Sequence, residues 1–194
     1  MSFEDDIKRL GGIERIIDGP LGALTPAQIE SLETTIGFAL PNDYRHFLST
    51  FGGGVAFNEQ IGFDPIKQTP EYLHAKELGL PNFLFEGAIV GTFFGSDDGL
   101  PKHLQTQWAL QTYTQRLPDR ALPIADDGAG NLICLIARAD GSSAIYWWDH
   151  ENEWDEADYE DDVGQPMPEA AKFQNVYLVG ESFSDFFARL TIID

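Results

Sequence analysis

The stretch of residues 122–154 constrains the fold of this chain more than any other part of the sequence. It contains three apolar segments separated by two short turns rich in Gly and Asp, and it ends in a run of acidic residues. Glycine in such turns allows the positive φ angles that tight connections between antiparallel strands need. The middle segment, residues 132–136, is apolar at every position, which is typical of a strand covered on both faces. The stretch therefore predicts an antiparallel sheet with a buried central strand.

We expect the three strands to span residues 121–125, 132–137 and 143–149. In the third strand, Ile145 and Trp147 should lie on one face and Tyr146 and Trp148 on the other, because side chains alternate along a strand. The turn at residues 126–131 lacks the alternating acids and closing Glu of an EF-hand loop, and it lacks the third Gly of a dinucleotide fingerprint. We interpret it as a hairpin turn.

Helix signals stand on both sides of this region in the sequence. Thr25 has the spacing of an N-cap, followed by Pro26 at the first helical position and by Gln28, which completes a capping box; Gly37 follows the helix as its C-terminal stop. A second helix is expected over residues 41–51, before three glycines. Its apolar face consists of Tyr44, Phe47, Leu48 and Phe51, and a final helix capped by Ser182 carries Phe183, Phe186, Phe187 and Leu190.

The remaining patterns predict shorter elements. We expect a helix over residues 2–10, a hairpin over 55–66 with its turn near 58–60, a helix that begins at Thr69, one or two strands within 83–94, a strand over 108–113 and a strand over 176–179. Neither an internal repeat nor a linker between two cores is evident. Together the elements predict a single α+β domain, with a curved, mostly antiparallel sheet and helices packed around it.

Charge restricts the class of partner. Twelve Lys and Arg residues stand against 32 Asp and Glu residues, so the net charge is −20. A surface of this sign repels nucleic acid and anionic membranes and favours encounter with a basic protein. The N-terminus has no apolar signal-peptide core, and no run of about 18 apolar residues exists, so we expect a cytoplasmic protein with no membrane contact. The single cysteine, Cys134, lies in the apolar segment and is expected to be a buried thiol.

The sequence contains no convincing catalytic motif. A Gly-x-Ser-x-Gly nucleophile turn is absent, and the Asp149-His150-Glu151 triplet places neighbouring side chains on opposite strand faces. With 32 acids, accidental carboxylate pairs are numerous and favour no hydrolase. We therefore predict that the protein is not an enzyme and has no catalytic, cofactor-binding or metal-ligating residues.

Residues 149–162, here called the acidic segment, contain nine acids and neither Lys nor Arg. One interpretation is a mobile, solubilising loop. The other is a contact site for a basic protein, in which aromatic side chains among the acids supply buried contact area beside electrostatic steering. Under this second interpretation, the predicted partner-binding residues are Trp147, Asp149, Glu151, Glu153, Trp154, Asp155, Glu156, Asp158 and Tyr159.

Three groups of residues, taken in order, resemble the SUKH superfamily, which comprises domains related to the yeast cell-wall regulators of the Smi and Knr type. They are the helix pattern of residues 25–37 with the Leu-Pro-Asn-Asp-Tyr motif at 40–44, the strand patterns at 122–131 and 145–150, and the terminal helix at 182–187. One departure is Phe51 before the glycines, where the family often has Asn. The resemblance divides the chain into an N-terminal extension, residues 1–24, and a SUKH-like domain, residues 25–194. Residues 67–106 match no motif of the family.

The resemblance implies an α+β fold and a role as an immunity protein that binds and neutralises a cognate protein toxin, often a nuclease. It fits a basic toxin domain held by the acidic segment. Two alternatives stay open. One is a non-enzymatic regulatory or scaffold protein of the Smi/Knr type. The other is a metal-binding protein or hydrolase that uses Asp126, Asp127, His150 or nearby carboxylates at strand ends.

Overall fold

The computed structural model describes residues 3–78 and 88–193 of the chain. In chain order, the strands are β1 (Ile13–Arg15), β2 (Val55–Phe57), β3 (Ile61–Phe63), β4 (Ala88–Ile89), β5 (Thr92–Phe93), β6 (Ala121–Asp126), β7 (Leu132–Ala137), β8 (Ser143–Trp148), β9 (Val176–Gly180) and β10 (Thr191–Ile192). The α-helices are α1 (Phe3–Arg9), α2 (Pro26–Ile36), α3 (Asn42–Thr50), α4 (Pro70–Glu77), α5 (Thr106–Thr112), α6 (Glu156–Val163) and α7 (Phe183–Arg189). Short 3₁₀ helices span Lys102–Leu104, His150–Asn152 and Glu169–Phe173.

Seven strands form the main sheet in the order β1-β2-β5-β6-β7-β8-β9, and each neighbouring pair is antiparallel. A small second sheet consists of three strands in the order β10-β3-β4. Irregular register at residues 123–125 and 145–146 interrupts the ladders of β6 and β8, and bulges of this kind bend a strand. The prediction of an α+β fold with a mostly antiparallel sheet is confirmed.

The main sheet is covered on both faces, as the apolar β7 segment predicted. On one face, side chains of β7 and β8 such as Ile133 and Trp147 pack with aromatic residues of α1, α3 and α7. On the other face, Cys134 and Trp148 pack with Ala109 of α5 and its neighbours. The alternation predicted for β8 is confirmed, because Ile145 and Trp147 belong to the first cluster while Tyr146 and Trp148 lie in or against the second.

Local capping chemistry places the helices where the sequence predicts them. The Thr25 hydroxyl accepts a hydrogen bond from Gln28 N, Gln28 Oε1 accepts one from Thr25 N at 2.9 Å, and Gly37 ends α2 with a φ of 76°. Thr69 caps α4 and Ser182 caps α7 through the same kind of side-chain acceptor. These contacts satisfy backbone N–H groups that have no partner within the helix.

Three local predictions are wrong. Residues 108–113 lie in or just after helix α5, where Ala109 is fully buried and the glutamines are good helix formers. Residues 55–66 do not form a hairpin, because β2 joins the main sheet and β3 joins the small one. The acidic segment is not a loop throughout, since it contains a 3₁₀ turn and α6. Of the strands predicted within 83–94, β4 and β5 are observed, and residues 83–87 lie outside the described part.

The glycines after α3 allow three backbone segments to meet. A Cβ on Gly53 would overlap Phe94 O, and a Cβ on Gly52 would overlap Gly22 O. Gly54 N donates to Phe93 O, which joins this turn to β5. The glycine run therefore serves close backbone approach as well as helix termination.

Residues before position 25 pack against the rest of the molecule. Phe3 and Ile7 of α1 are buried in the first core cluster, and β1 is the edge strand beside β2. Arg9 Nη1 donates to Leu190 O at 2.9 Å. These contacts join the predicted N-terminal extension to the core, while the domain boundary at residue 25 stays a prediction.

Candidate partner-binding surface

The β6–β7 turn is held by a buried carboxylate rather than built to bind an ion. Asp127 Oδ1 accepts hydrogen bonds from the backbone N of Ala129 at 2.8 Å and of Asn131 at 3.1 Å. Its Oδ2 accepts from Asn131 Nδ2 at 2.6 Å and from Trp147 Nε1 at 3.3 Å. Gly128 and Gly130 have positive φ angles of 74° and 103°. The hairpin interpretation is therefore confirmed.

This turn also fixes the start of the acidic segment. Asn131 Oδ1 accepts from His150 N at 3.0 Å and lies 2.8 Å from His150 Nδ1. Gly130 makes room for the imidazole, because a Cβ at this position would lie 2.9 Å from His150 Cε1. A chain of contacts thus runs from Trp147 through Asp127 and Asn131 to His150.

A second anchor joins the same point to β9. Asp149 N donates to Asn175 O at 3.0 Å, and Asn175 Nδ2 donates to Asp149 O at 2.6 Å. The Asp149 carboxylate accepts from Glu151 N at 3.0 Å and from Asn152 Nδ2, which forms the cap of the 3₁₀ turn. Burial raises the pKa of Asp149 above its usual range.

Two residues of the predicted contact set are therefore not surface residues. Trp147 is 1% exposed and Asp149 is 0% exposed. Trp147 faces the core because it is at an inward position of β8. The Asp149 carboxylate binds the 3₁₀ turn, and its backbone N–H and C=O bind Asn175 beside β9. Their burial leaves no side-chain surface for direct contact in the free protein, so we expect both to position the segment that follows, and their place in the contact set stays a prediction.

The rest of the acidic segment lies at the surface on a capped helix. The Asp155 side chain accepts from Ala157 N and Asp158 N, and Gly164 ends α6 with a φ of 73°. Five of the eight residues of α6 are acidic, and no residue of the helix is basic. The last turn contains Glu160, Asp161 and Asp162, although the carboxyl end of a helix favours cations.

Aromatic side chains lie among these acids. The Trp154 and Tyr159 rings meet edge to face with centroids 5.0 Å apart, and Trp154 is 37% exposed. Each of the two side chains combines an apolar ring with one polar atom, and side chains of this kind often dominate protein interfaces. They form the aromatic part of the surface that the sequence predicted.

Glu153 and Asp155 of the predicted set already have partners. Arg116 binds Glu153 through two nitrogens, with Nε to Oε1 at 2.9 Å and Nη2 to Oε2 at 2.6 Å. The Arg116 guanidinium lies 5.0 Å from the Tyr113 ring centre and 5.3 Å from that of Trp148. Exposed acids of the set without such bonds in the described part of the chain are Glu151, Glu156 and Asp158.

Sequence reasoning missed the neighbouring cleft. A cleft of about 370 Å³ is lined by residues that include His103, Trp108, Tyr113 and Asp126. Burial raises the pKa of the Asp126 carboxyl. The strand predicted over residues 108–113 separates these side chains, although Ala109 and Tyr113, four residues apart, have the spacing of one helix face.

The described residues give little support to a reactive thiol, a metal site or a membrane span. Cys134 is fully buried, and burial raises the pKa of its thiol far above the usual range. Within residues 3–78 and 88–193, no group of three or more His, Cys, Asp and Glu side chains is arranged to hold a metal ion. No helix in these ranges is both long and apolar enough to cross a membrane.

Comparisons with known proteins identify the family of the chain. A curated relative, the SPbeta prophage-derived uncharacterized protein YokK of Bacillus subtilis (strain 168), is 32% identical over 131 residues. The match covers 66% of this chain and 62% of that protein, so the chain spans less than two thirds of the relative's length. No solved structure matches the chain. The model of the SMI1 / KNR4 family (SUKH-1) matches residues 23–189, and the chain therefore belongs to this family.

Proposed function

We propose that this protein is a cytoplasmic immunity protein, without enzymatic activity, that binds and neutralises a cognate toxin with a basic domain. Membership of the SUKH family supports this role, because the family resemblance implies toxin immunity. The relative in Bacillus subtilis is named as a prophage-derived, uncharacterized protein.

The observation that carries the proposal is the organisation of the acidic segment. Its helix presents five acids beside the pair of exposed Trp154 and half-buried Tyr159, and two hydrogen-bonded anchors hold the start of the segment to the sheet. A solubilising segment needs charge alone and gains nothing from fixed aromatic rings. A partner with Lys and Arg residues gains both steering and buried contact area here.

Direct contacts are assigned to the exposed members of the predicted set and to the half-buried Tyr159. Glu151, Glu156 and Asp158 supply charge, and Trp154 with Tyr159 supplies apolar area. Glu153 and Asp155 shape the surface through Arg116 and the helix cap. Trp147 and Asp149 support it from below.

The test uses the toxin domain that the proposal expects to be encoded beside the gene. We expect a complex whose association rate falls at least about tenfold between 50 mM and 300 mM salt, because the Debye length over which exposed charges act shortens from about 14 Å to about 6 Å in this range. Coexpression should restore the growth of cells that make the toxin. The absence of both a complex at low salt and growth rescue would overturn the proposal.

Matched variants locate the surface. Glu156→Gln with Asp158→Asn removes two charges from α6, while Glu30→Gln with Glu71→Gln removes two exposed charges from α2 and α4. We expect the first pair to slow association severalfold more than the second. Equal effects would show that only net charge matters. A complex with host proteins and none with the toxin would favour the regulatory role instead.

A further inference from the structure

The cleft beside α5 contains the Asp126 carboxylate, in which one oxygen accepts the hydrogen bonds from the described residues. Asp126 Oδ1 accepts from Gly128 N at 3.0 Å and from Thr92 N at 3.3 Å. Within the described part of the chain, Asp126 Oδ2 accepts no hydrogen bond. Burial raises the pKa of this carboxyl, so the ionised form lacks solvation that a bound cation would supply.

Aromatic and apolar side chains form the walls of this cleft. The Trp108 and Tyr113 rings meet edge to face with centroids 6.1 Å apart, and buried Phe94 and Leu132 also line the space. A volume of about 370 Å³ is within the range of pockets that hold small ligands. One carboxylate among aromatic rings suits an ammonium or guanidinium group better than a metal ion, which needs several oxygen ligands.

The cleft adjoins the acidic segment. Gly130 and Asn131 line the cleft, and both contact His150 at the start of that segment. On its other side, Tyr113 lies under the Arg116 guanidinium, which is held by Glu153. This internal pair shows that the Tyr113 ring accepts a guanidinium, and the bond to Glu153 keeps Arg116 engaged. His103 is the other titratable group that lines the cleft.

We propose that the Asp126 cleft receives a lysine or arginine side chain of the protein partner. The carboxylate binds the cation through Oδ2, and the rings of Trp108 and Tyr113 contact its aliphatic stem and its charge. This inference rests on the proposed function, and it adds a specific anchor to the broader charge of the acidic segment.

The first experiment uses N-acetyl-arginine amide and N-acetyl-lysine amide as probes and the uncharged N-acetyl-citrulline amide as control. Amide resonances of Gly128 and Thr92 report locally, since both N–H groups donate to Asp126. We expect a charged probe to bind at least about tenfold more tightly than citrulline, as expected for a charge-assisted hydrogen bond. Equal affinities, or shifts confined to other resonances, would overturn the proposal.

The matched variants are Asp126→Asn and Asp140→Asn. Each removes one charge from a turn carboxylate that accepts a backbone N–H two residues ahead, but the Asp140 turn lies at the opposite end of β7. An Asn side chain keeps an oxygen for Gly128 N, so Asp126→Asn is expected to fold. It should bind the arginine probe no better than citrulline, while Asp140→Asn should bind as the natural protein does. A similar loss in both variants would contradict the assignment.

The toxin domain then separates this inference from the proposed function. If the toxin domain binds and Asp126→Asn weakens the complex no more than Asp140→Asn does, the assignment of the cleft is wrong and the proposed immunity role is retained. If the cationic probes bind at the Asp126 cleft and no toxin complex forms, the immunity role is wrong and the basic side-chain site stands.

Discussion

At the residue scale, Asp127 is the centre of the network below the proposed surface. Four donors reach its two carboxylate oxygens, and the side chain is only 4% exposed. Buried carboxylates that accept several hydrogen bonds are costly to alter, because each unpaired donor loses its solvation as well as its partner. The role of Asp127 is therefore to position residues rather than to contact a partner.

We predict that Asp127→Asn lowers the free energy of unfolding by about 1–3 kcal/mol, because an amide nitrogen would meet the donors of Asn131 or Trp147. Urea denaturation measures this loss. Asp140→Asn, in an exposed turn, serves as the control and should cost much less. Equal losses in the two variants would contradict the positioning role.

At the element scale, the acidic residues of α6 destabilise the helix that they form. Glu156 and Glu160 are four residues apart, as are Asp158 and Asp162, and like charges at this spacing destabilise a helix. The acids of the last turn also lie at the negative end of the helix dipole. A helix of this composition costs stability in the free protein, and a basic partner would relieve that cost.

We predict that Glu160→Gln combined with Asp161→Asn and Asp162→Asn stabilises the free protein, by roughly 0.2–0.5 kcal/mol for each repulsive pair removed. The gain should shrink in 0.5 M salt, where exposed charges are screened. Urea denaturation at low and high salt measures both effects. A loss of stability at low salt would show that these acids make favourable contacts within the protein.

At the scale of the whole molecule, net charge and buried acids both set the response to pH. Burial raises the pKa of Asp126 and of Asp149, so the folded state holds protons that the unfolded chain has already lost. The contribution of Asp126 and Asp149 to the free energy of unfolding falls as pH rises from about 3.9 through the pKa values of these groups in the folded state. Asp97 behaves oppositely, because the Gly99 N–H and the Arg15 guanidinium lower its pKa, and its contribution is lost in acid.

We therefore predict that the free energy of unfolding rises as pH falls from 7.5 through the pKa values of the folded state toward about 3.9, and falls again below about pH 3.9. Relief of repulsion among the 32 acids acts in the same direction as the buried carboxyls. Asp126→Asn should remove part of the rise, while Asp140→Asn should leave it in place. Urea midpoints across this range measure the profile, and identical profiles for the natural protein and Asp126→Asn would contradict the prediction.

Elements with their own local chemistry were predictable from the sequence. The Thr25–Gln28 capping box, the glycine turns beside Asp127 and the apolar run of β7 depend on residues within a few positions of one another. Such signals act before any distant contact forms, and the corresponding helix, turns and strands are where they were expected.

Features that depend on distant partners were decided by the tertiary structure alone. The sequence predicts Trp147 as a partner-binding residue, but it is buried because helices from both ends of the chain cover its face of β8. Residues 108–113 took a helical form against the second core cluster, which also created the Asp126 cleft. The sequence by itself determined an acidic α+β protein with a strand-rich centre, because caps, turns and charge are local or additive properties. Only the tertiary structure decided which acids and rings face solvent, because burial depends on what packs against each side chain.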